Sequence, residues 1–367
     1  MFEKSQSQTT THMASLLRWG RGGVGSAGDV ASCTMSAYGM SIPFDGVPLH
    51  EQKEWVEELA SLGYTDVWSS EAMGADAFLP LALASVWAPT LRLGTAIVPA
   101  YTRGPAVLAQ TVATLAEAAP GRVAIGIGTS SNIIVEQWNG VPFVNPYNRV
   151  RDTVRFLKSV LAGEKVDAEY EGFKVKGFKL GRKVPVQPQI LIAGLREGML
   201  RLAGRESDGA IINWLSADDV IKVNEIVQSA GAEAASVAGV ELKSKEIVAR
   251  LFVCPNPDAD AVRAAGRFAI AAYLNVPVYA AFHEWLGNGP RLQGMWDAWK
   301  AGDRKAALAA IPDDVVDDLI IHGTPAECRA HIQRYVDNGV TTPALAVMGF
   351  GGIDIRQAVR DLAPTAS

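Results

Sequence analysis

From Tyr38 onward the chain repeats one local pattern eight times: a short apolar run bounded by Gly or Pro, then a longer stretch with apolar residues three and four apart. The first signal reads as a buried strand and the second as an amphipathic helix. Strands are expected at Tyr38–Pro43, Thr65–Ser69, Leu91–Ile97, Arg122–Ile127, Gln189–Ile192, Gly209–Ile212, Ile247–Cys254 and Thr342–Met348. Between them, Trp55, Leu59 and Leu62 share one helical face, as do Leu108, Val112 and Leu115, and again Val150, Val154, Leu157 and Leu161. Strands that are apolar throughout belong to a parallel sheet covered on both faces, and eight such strands close into a barrel. The expected fold is therefore α/β, a (β/α)8 TIM barrel with insertions. The rival, a doubly wound open sheet, has fewer strands and a nucleotide motif after the first, and Pro43-Phe-Asp-Gly46 is not such a motif.

Two stretches interrupt the alternation. Tyr170–Leu180 mixes aromatic and charged residues around glycines and reads as a surface β-hairpin, and residues 276–311, rich in Trp, Gly and Pro, read as an irregular lid or insertion. Residues 1–34 are polar and then Gly-rich, without apolar periodicity or the apolar core of a secretory signal. They are expected to form a disordered extension, native or left by cloning, ahead of a single barrel domain spanning 35–367. Gly20-Arg-Gly-Gly-Val-Gly25 matches G-x-G-x-x-G by spacing, but no strand precedes it and no helix follows, so it reads as a flexible segment.

Composition narrows the function. A net charge of −5 supplies no attraction for nucleic acid, and no apolar run approaches the roughly 18 residues of a membrane helix. The three cysteines, Cys33, Cys254 and Cys328, are too scattered for a zinc site or a disulfide framework, which suits a reducing cytoplasm. The five histidines form no metal constellation; His50, His322 and His331 lie in or beside helices and read as surface groups.

Barrel chemistry sits on the loops that follow the strands. After strand four, Gly126-Ile-Gly128-Thr129-Ser130-Ser131-Asn132 offers a backbone open to close approach, with hydroxyl donors; an ordinary tight turn has the same composition. After strand five, Ala193-Gly194-Leu195-Arg196-Glu197-Gly198 runs small residues and an Arg into a helix start, where backbone N–H groups and the helix dipole favour a phosphate. Strand two ends Trp68-Ser69-Ser70-Glu71, which puts a carboxylate where acid–base chemistry occurs, although a lone loop Glu is more often only solvated. His283 and Trp285, with Trp296 and Trp299, lie in the 276–311 insertion, where they face a substrate pocket or simply pack the insertion.

Tyr64-Thr-Asp-Val-Trp68, Arg92-Leu-Gly-Thr-Ala96, Gln110–Ala119 with Gly121-Arg122, Gly126-Ile-Gly128-Thr129 and Ala203-Gly204-Arg205 with Asp208-Gly209, in that order, resemble the luciferase-like oxidoreductases. Tyr147-Asn-Arg149, Leu161-Ala-Gly163 and Gly323-Thr-Pro325 extend the likeness, which is greatest to the branch using the deazaflavin coenzyme F420. The resemblance implies hydride exchange at the cofactor's C5 with a small organic substrate, on a homodimeric enzyme. It implies a non-proline cis peptide at Ala96–Ile97 against the cofactor ring. Gly128, Thr129 and Ser130 would flank that ring, and Ala193, Gly194, Leu195, Arg196, Glu197 and Gly198 would hold the phosphate. Trp68, Ser70, His283 and Trp285 would line the substrate pocket.

The chain also departs from the family. Its sugar-phosphate dehydrogenases carry Asp-His where this chain has Glu71-Ala72, and a Glu where it has Ser131. That leaves Glu71 and Ser131 as the catalytic candidates. FMN-dependent monooxygenation on the same barrel is the alternative chemistry, and cofactor binding with little turnover is a third possibility.

Overall fold

The computed structural model describes residues 37–365. The extension 1–34, its Gly20–Gly25 run and Cys33 lie outside the described residues. Eight parallel strands form the barrel: β1 (Gly39–Ser41), β2 (Asp66–Ser69), β3 (Arg92–Pro99), β4 (Val123–Gly128), β5 (Gln189–Ala193), β6 (Gly209–Asn213), β7 (Glu246–Cys254) and β8 (Thr342–Val347). Each pairs with its successor, and β8 pairs back onto β1 through Gly39 opposite Ala344, which closes the sheet. Helices α1 (Lys53–Ser61), α2 (Phe78–Trp87), α3 (Pro105–Ala118), α4 (Pro146–Leu161), α5 (Glu197–Glu206), α6 (Asp219–Ala238) and α7 (Ala259–Leu274) connect the first seven strands and continue past β7. The predicted stripe Leu108, Val112, Leu115 is buried, as is Val150, Val154, Leu157, Leu161, so the outward faces of the strands meet the apolar faces of the helices.

Three local expectations need correction. The hairpin pairs Val166–Glu169 with Lys174–Phe178, so its first strand begins before the aromatic run and its turn lies nearer Tyr170. The 276–311 insertion is helical: α8 (Pro277–Leu286), α9 (Gly289–Lys300) and α10 (Arg304–Ala309), followed by α11 (Asp313–Leu319). Its prolines occupy first-turn positions of α8 and α9, and Gly287, at φ +96°, ends α8, so residues that read as breakers are the punctuation of short helices. A short strand at Ile320–His322, absent from the predicted set, runs parallel to the end of β7. It is followed by α12 (Pro325–Asp337), opened by a capping box at Thr324 and Glu327, and α13 (Ile355–Asp361) closes the chain beyond β8.

Inside the barrel, alternate residues of each strand build three layers. At the N-terminal floor, Arg92 donates to Asp66, to Gln189 at 2.7 Å and to Glu246 at 2.6 Å. The middle layer is Trp68 with Ala124, Leu191, Ile211, Val248 and Ala344. Trp68 fits because Gly39 and Gly94 face it: a Cβ at Gly94 would lie 2.2 Å from the indole, and one at Gly39 2.7 Å. The third layer is the mouth.

Candidate active site at the barrel mouth

The mouth wall on the β3–β5 side is made of small apolar groups. Ala96, Ile97 and Ala193 pack on the middle layer while staying partly exposed. The Ala96–Ile97 peptide is cis, and the β3–β4 register shifts between Thr95 and Val98. Neighbouring strands hold this bulge. The Thr95 hydroxyl donates to the Gly126 carbonyl at 2.9 Å, and the Glu71 N–H donates to the Ile97 carbonyl at 3.0 Å. Gly128 completes the wall; a Cβ there would come within 3.1 Å of both Ile97 and Ala193. Beyond it, Ser130 takes φ +60°, in the left-handed region that few non-glycine residues adopt. Thr129 donates to the Ser130 carbonyl at 3.1 Å. The Ser131 hydroxyl accepts from Ile134 N–H at 3.3 Å and so caps a π-helical turn, Ile133–Trp138.

The β5 loop leads directly into α5. The Gly194 N–H donates to Ile211 at 3.1 Å, and a Cβ on Gly194 would sit 3.1 Å from the backbone nitrogen of Leu200, so the loop packs hard on the first helical turn. Arg196 is the N-cap, and no side chain caps the helix. Met199 N–H donates to the Arg196 carbonyl at 3.0 Å, which leaves the Glu197 and Gly198 N–H groups for an external acceptor, beside the exposed side chains of Arg196 and Glu197. The Glu197 carboxylate is turned along the helix onto Arg201 at 3.0 Å, which moves its charge off the helix end.

The remaining predicted residues are placed differently. Glu71 is a tied carboxylate: it pairs with Arg103, which also reaches Asp76, and accepts from the Thr102 hydroxyl at 3.1 Å. Its backbone supports the cis bulge while its side chain is engaged by a cation. Trp68 is buried in the middle layer below the mouth, whereas Ser70 is partly exposed at the strand end.

His283 and Trp285 are not brought to the wall. Trp285 packs against α6, with the Lys222 ammonium 3.7 Å from its ring centroid. His283 is buried in a cavity about the size of one water, with Ser216, Asp219, Asn288, Arg291 and Asp318. Burial pushes its imidazole down to about 4. Tyr279, one turn earlier on α8, is the insertion residue that reaches the strand ends: its hydroxyl lies 3.4 Å from the Asn213 amide nitrogen. Of the other histidines, His50 is exposed, His322 is bonded to Asp317 at 2.8 Å, and His331 stacks on Tyr335. Cys254 and Cys328 are free and buried, with thiols pushed up to about 11 and about 12 by burial.

Strand interiors contribute residues that a search of loops overlooks. Arg250 of β7 sits in register with Asn213 of β6 and Ala344 of β8, and Phe252 beyond it stacks on Trp214 with ring centroids 4.1 Å apart. Trp214 itself takes φ +52° at the end of β6.

A closed eight-stranded barrel of parallel strands with helices between them defines a TIM-barrel protein. The chain belongs to the luciferase-like monooxygenase family, whose profile matches residues 29–342, and it is an enzyme of that family. It is 28% identical over 283 residues to a 5,10-methylenetetrahydromethanopterin reductase of Methanolobus tindarius, covering 76% of this chain and 84% of the relative. It is 26% identical over 335 residues to a putative coenzyme F420-dependent oxidoreductase of Mycobacterium tuberculosis, covering 86% and 94%. The fold matches the coenzyme F420-dependent tetrahydromethanopterin reductase of Methanopyrus kandleri with a TM-score of 0.74 at 19% identity, over 90% of this chain and 98% of that one.

Proposed function

We propose that this enzyme uses F420 to exchange a hydride with a small organic substrate. The observation that carries the reading is the continuous mouth surface from Ala96 and Ile97 through Gly128 to Ala193 and the uncapped α5 N-terminus. It offers a planar ring a wall without side-chain obstruction and offers a phosphate a set of N–H donors. The F420-dependent relatives support the choice of cofactor. When bound, the deazaflavin supplies hydride chemistry at C5.

The chain's own residues hold and orient. Ala96, Ile97, Gly128 and Ala193 support the ring, Thr129 and Ser130 flank it, and the segment Gly194–Gly198 takes the phosphate. Ser131 and Ser70 add uncharged hydroxyls at the ends of β4 and β2. Glu71 acts through its backbone, fixing the Ile97 carbonyl, while Arg103 retains its carboxylate. The catalytic contribution is thus position and electrostatics.

FMN fits the same wall, and binding separates the two cofactors. Titrating the purified chain with F420 and with FMN, each followed by its own fluorescence, should give tighter binding of F420. Hydride transfer from reduced F420 should proceed without oxygen uptake. Tight FMN binding without F420 binding, together with oxygen consumption from reduced FMN, assigns the chain to FMN-dependent oxygenation instead.

A further inference from the structure

Two arginines point into this barrel, and their circumstances differ. Arg92, at the floor, is neutralised by Asp66 and Glu246. Arg250, two residues above the middle-layer Val248 on the same inward face of β7, has no salt bridge to any described residue; its guanidinium lies 5.1 Å from the Phe252 ring centroid and is only partly buried. Alternation fixes its direction: Val248 belongs to the interior cluster, so Arg250 faces the barrel axis one level up, and Phe252 above it packs with Trp214 beneath α7 and α9.

β7 is four strands from β3 in either direction around the closed sheet, so Arg250 stands across the mouth from Ala96–Ile97. Beside it are two polar groups with weak partners. The Tyr279 hydroxyl and the Asn213 amide approach each other only at 3.4 and 3.5 Å, near the limit of a hydrogen bond. A cation, an amide and a phenol, each partly buried, thus stand across the barrel mouth from an apolar wall. A partly buried guanidinium without a counter-charge is poorly compensated, and a ligand anion that excludes the remaining water supplies the missing charge.

We propose that Arg250, with Asn213 and Tyr279, is the site that recognises an anionic oxygen of the organic substrate, so that the substrate class is a carboxylate. This rests on the reading of the mouth as the reaction site. A planar guanidinium matches a carboxylate through two parallel hydrogen bonds, and the flanking amide and phenol supply further donors. A dianionic phosphate group suits the place less well: the site holds one cation, and the nearby start of α6 carries Asp218 and Asp219. The second source of anionic oxygen in the same cavity is the polar edge of the cofactor ring, and the experiment separates the two.

The test uses the full chain, with and without F420, and matched probe pairs: benzoate and benzamide, cinnamate and cinnamamide, hexanoate and hexanamide. Binding is read by ligand-detected NMR. At least one carboxylate should bind the wild-type chain about tenfold or more tightly than its amide, in keeping with a charge-assisted hydrogen bond. Arg250→Met should erase the preference and leave F420 affinity within about threefold of wild type, while Arg250→Lys should keep part of the preference.

No preference in any wild-type pair overturns the proposal, with no variant needed. A preference that survives in Arg250→Met overturns it too. If Arg250→Met instead weakens F420 about tenfold or more and no pair is discriminated, the cation serves the cofactor and the substrate assignment is wrong. Failure of the wild-type chain to bind F420 removes the cofactor reading alone, because the carboxylate–amide comparison is also made without cofactor.

Discussion

Arg92→Met should destabilise the barrel in a way that depends on pH with a definite sign. The Arg92 side chain donates to Asp66, to Gln189 and twice to Glu246, at 2.9 and 2.6 Å, and the two carboxylates are 1% and 13% exposed. Methionine fills a similar volume but leaves two carboxylates in the floor without their cation. Breaking a buried pair by removing one partner costs about 3–5 kcal/mol. Burial by itself raises the Glu246 pKa, but hydrogen bonds and charge from Arg92, with Thr342 and Gln189, outweigh it and hold the group below its ordinary value. A depressed folded value means stability that is present above the unfolded carboxylate pKa of about 4.3 and is lost as pH falls through and below it.

In Arg92→Met the burial remains and the cation is gone, so Glu246 moves above its ordinary value and the sign reverses: acidification neutralises it and relieves the variant. The gap between wild type and variant should therefore be largest near pH 7 and should shrink by about 1 kcal/mol or more toward pH 4.5. Urea melts followed by far-UV circular dichroism at the two pH values measure it. A loss below about 1 kcal/mol at neutral pH, or a gap that stays constant on acidification, would show that the floor network is not an electrostatic keystone.

Gly128→Val should weaken F420 binding about tenfold or more, because even its Cβ meets Ile97 and Ala193 at 3.1 Å, with a stability loss of about 1–3 kcal/mol from overpacking; fluorescence titration and urea melts read the two effects. Glu71→Gln should lower turnover less than about tenfold and leave every limb of the pH–rate profile in place, since the backbone bond to Ile97 remains; a fall of two orders of magnitude with a missing limb would make Glu71 the proton carrier. The His283 ring proton signals should titrate near pH 4. Because that folded value lies below the ordinary 6.5, His283 contributes stability that is complete above about pH 6.5 and lost as pH falls toward 4, and a midpoint near 6.5 refutes the buried placement.

The barrel was legible because its signal is redundant. Eight apolar runs and their helical stripes are each weak evidence, but Leu108, Val112 and Leu115 or Val150, Val154 and Leu157 have one consistent explanation when the pattern repeats. Loop composition singled out Gly128 and Gly194 as room for a ligand; what the structure shows around them is packing, since Ile97, Ala193 and the first turn of α5 leave little space for a Cβ. Local periodicity failed in the insertion. Its helices are short and opened by prolines, so helical spacing never runs long enough to outweigh the breakers, and the residues that looked functional there, His283 and Trp285, face packing partners.

Arg250 escaped notice for a different reason, and that reason generalises within this chain. A search guided by loops treats strand interiors as core, yet a barrel strand has an inward face that passes from floor to mouth. Read at every second residue, β7 runs Glu246, Val248, Arg250, Phe252. A charged residue at its start finds its partner in the floor, where Arg92 supplies one. A charged residue two positions past the apolar middle layer has no carboxylate partner among the described residues; its contact is the Phe252 ring, 5.1 Å away, which offsets only part of an unpaired charge. The same alternation on β3 gives Arg92, Gly94, Ala96: charge at the floor, space for Trp68 in the middle, and a small residue at the mouth. The two strands present opposite chemistry at the same height. A ligand lying between them would meet an apolar wall on one side and a cation on the other, and that asymmetry orients a substrate bearing a carboxylate at one end.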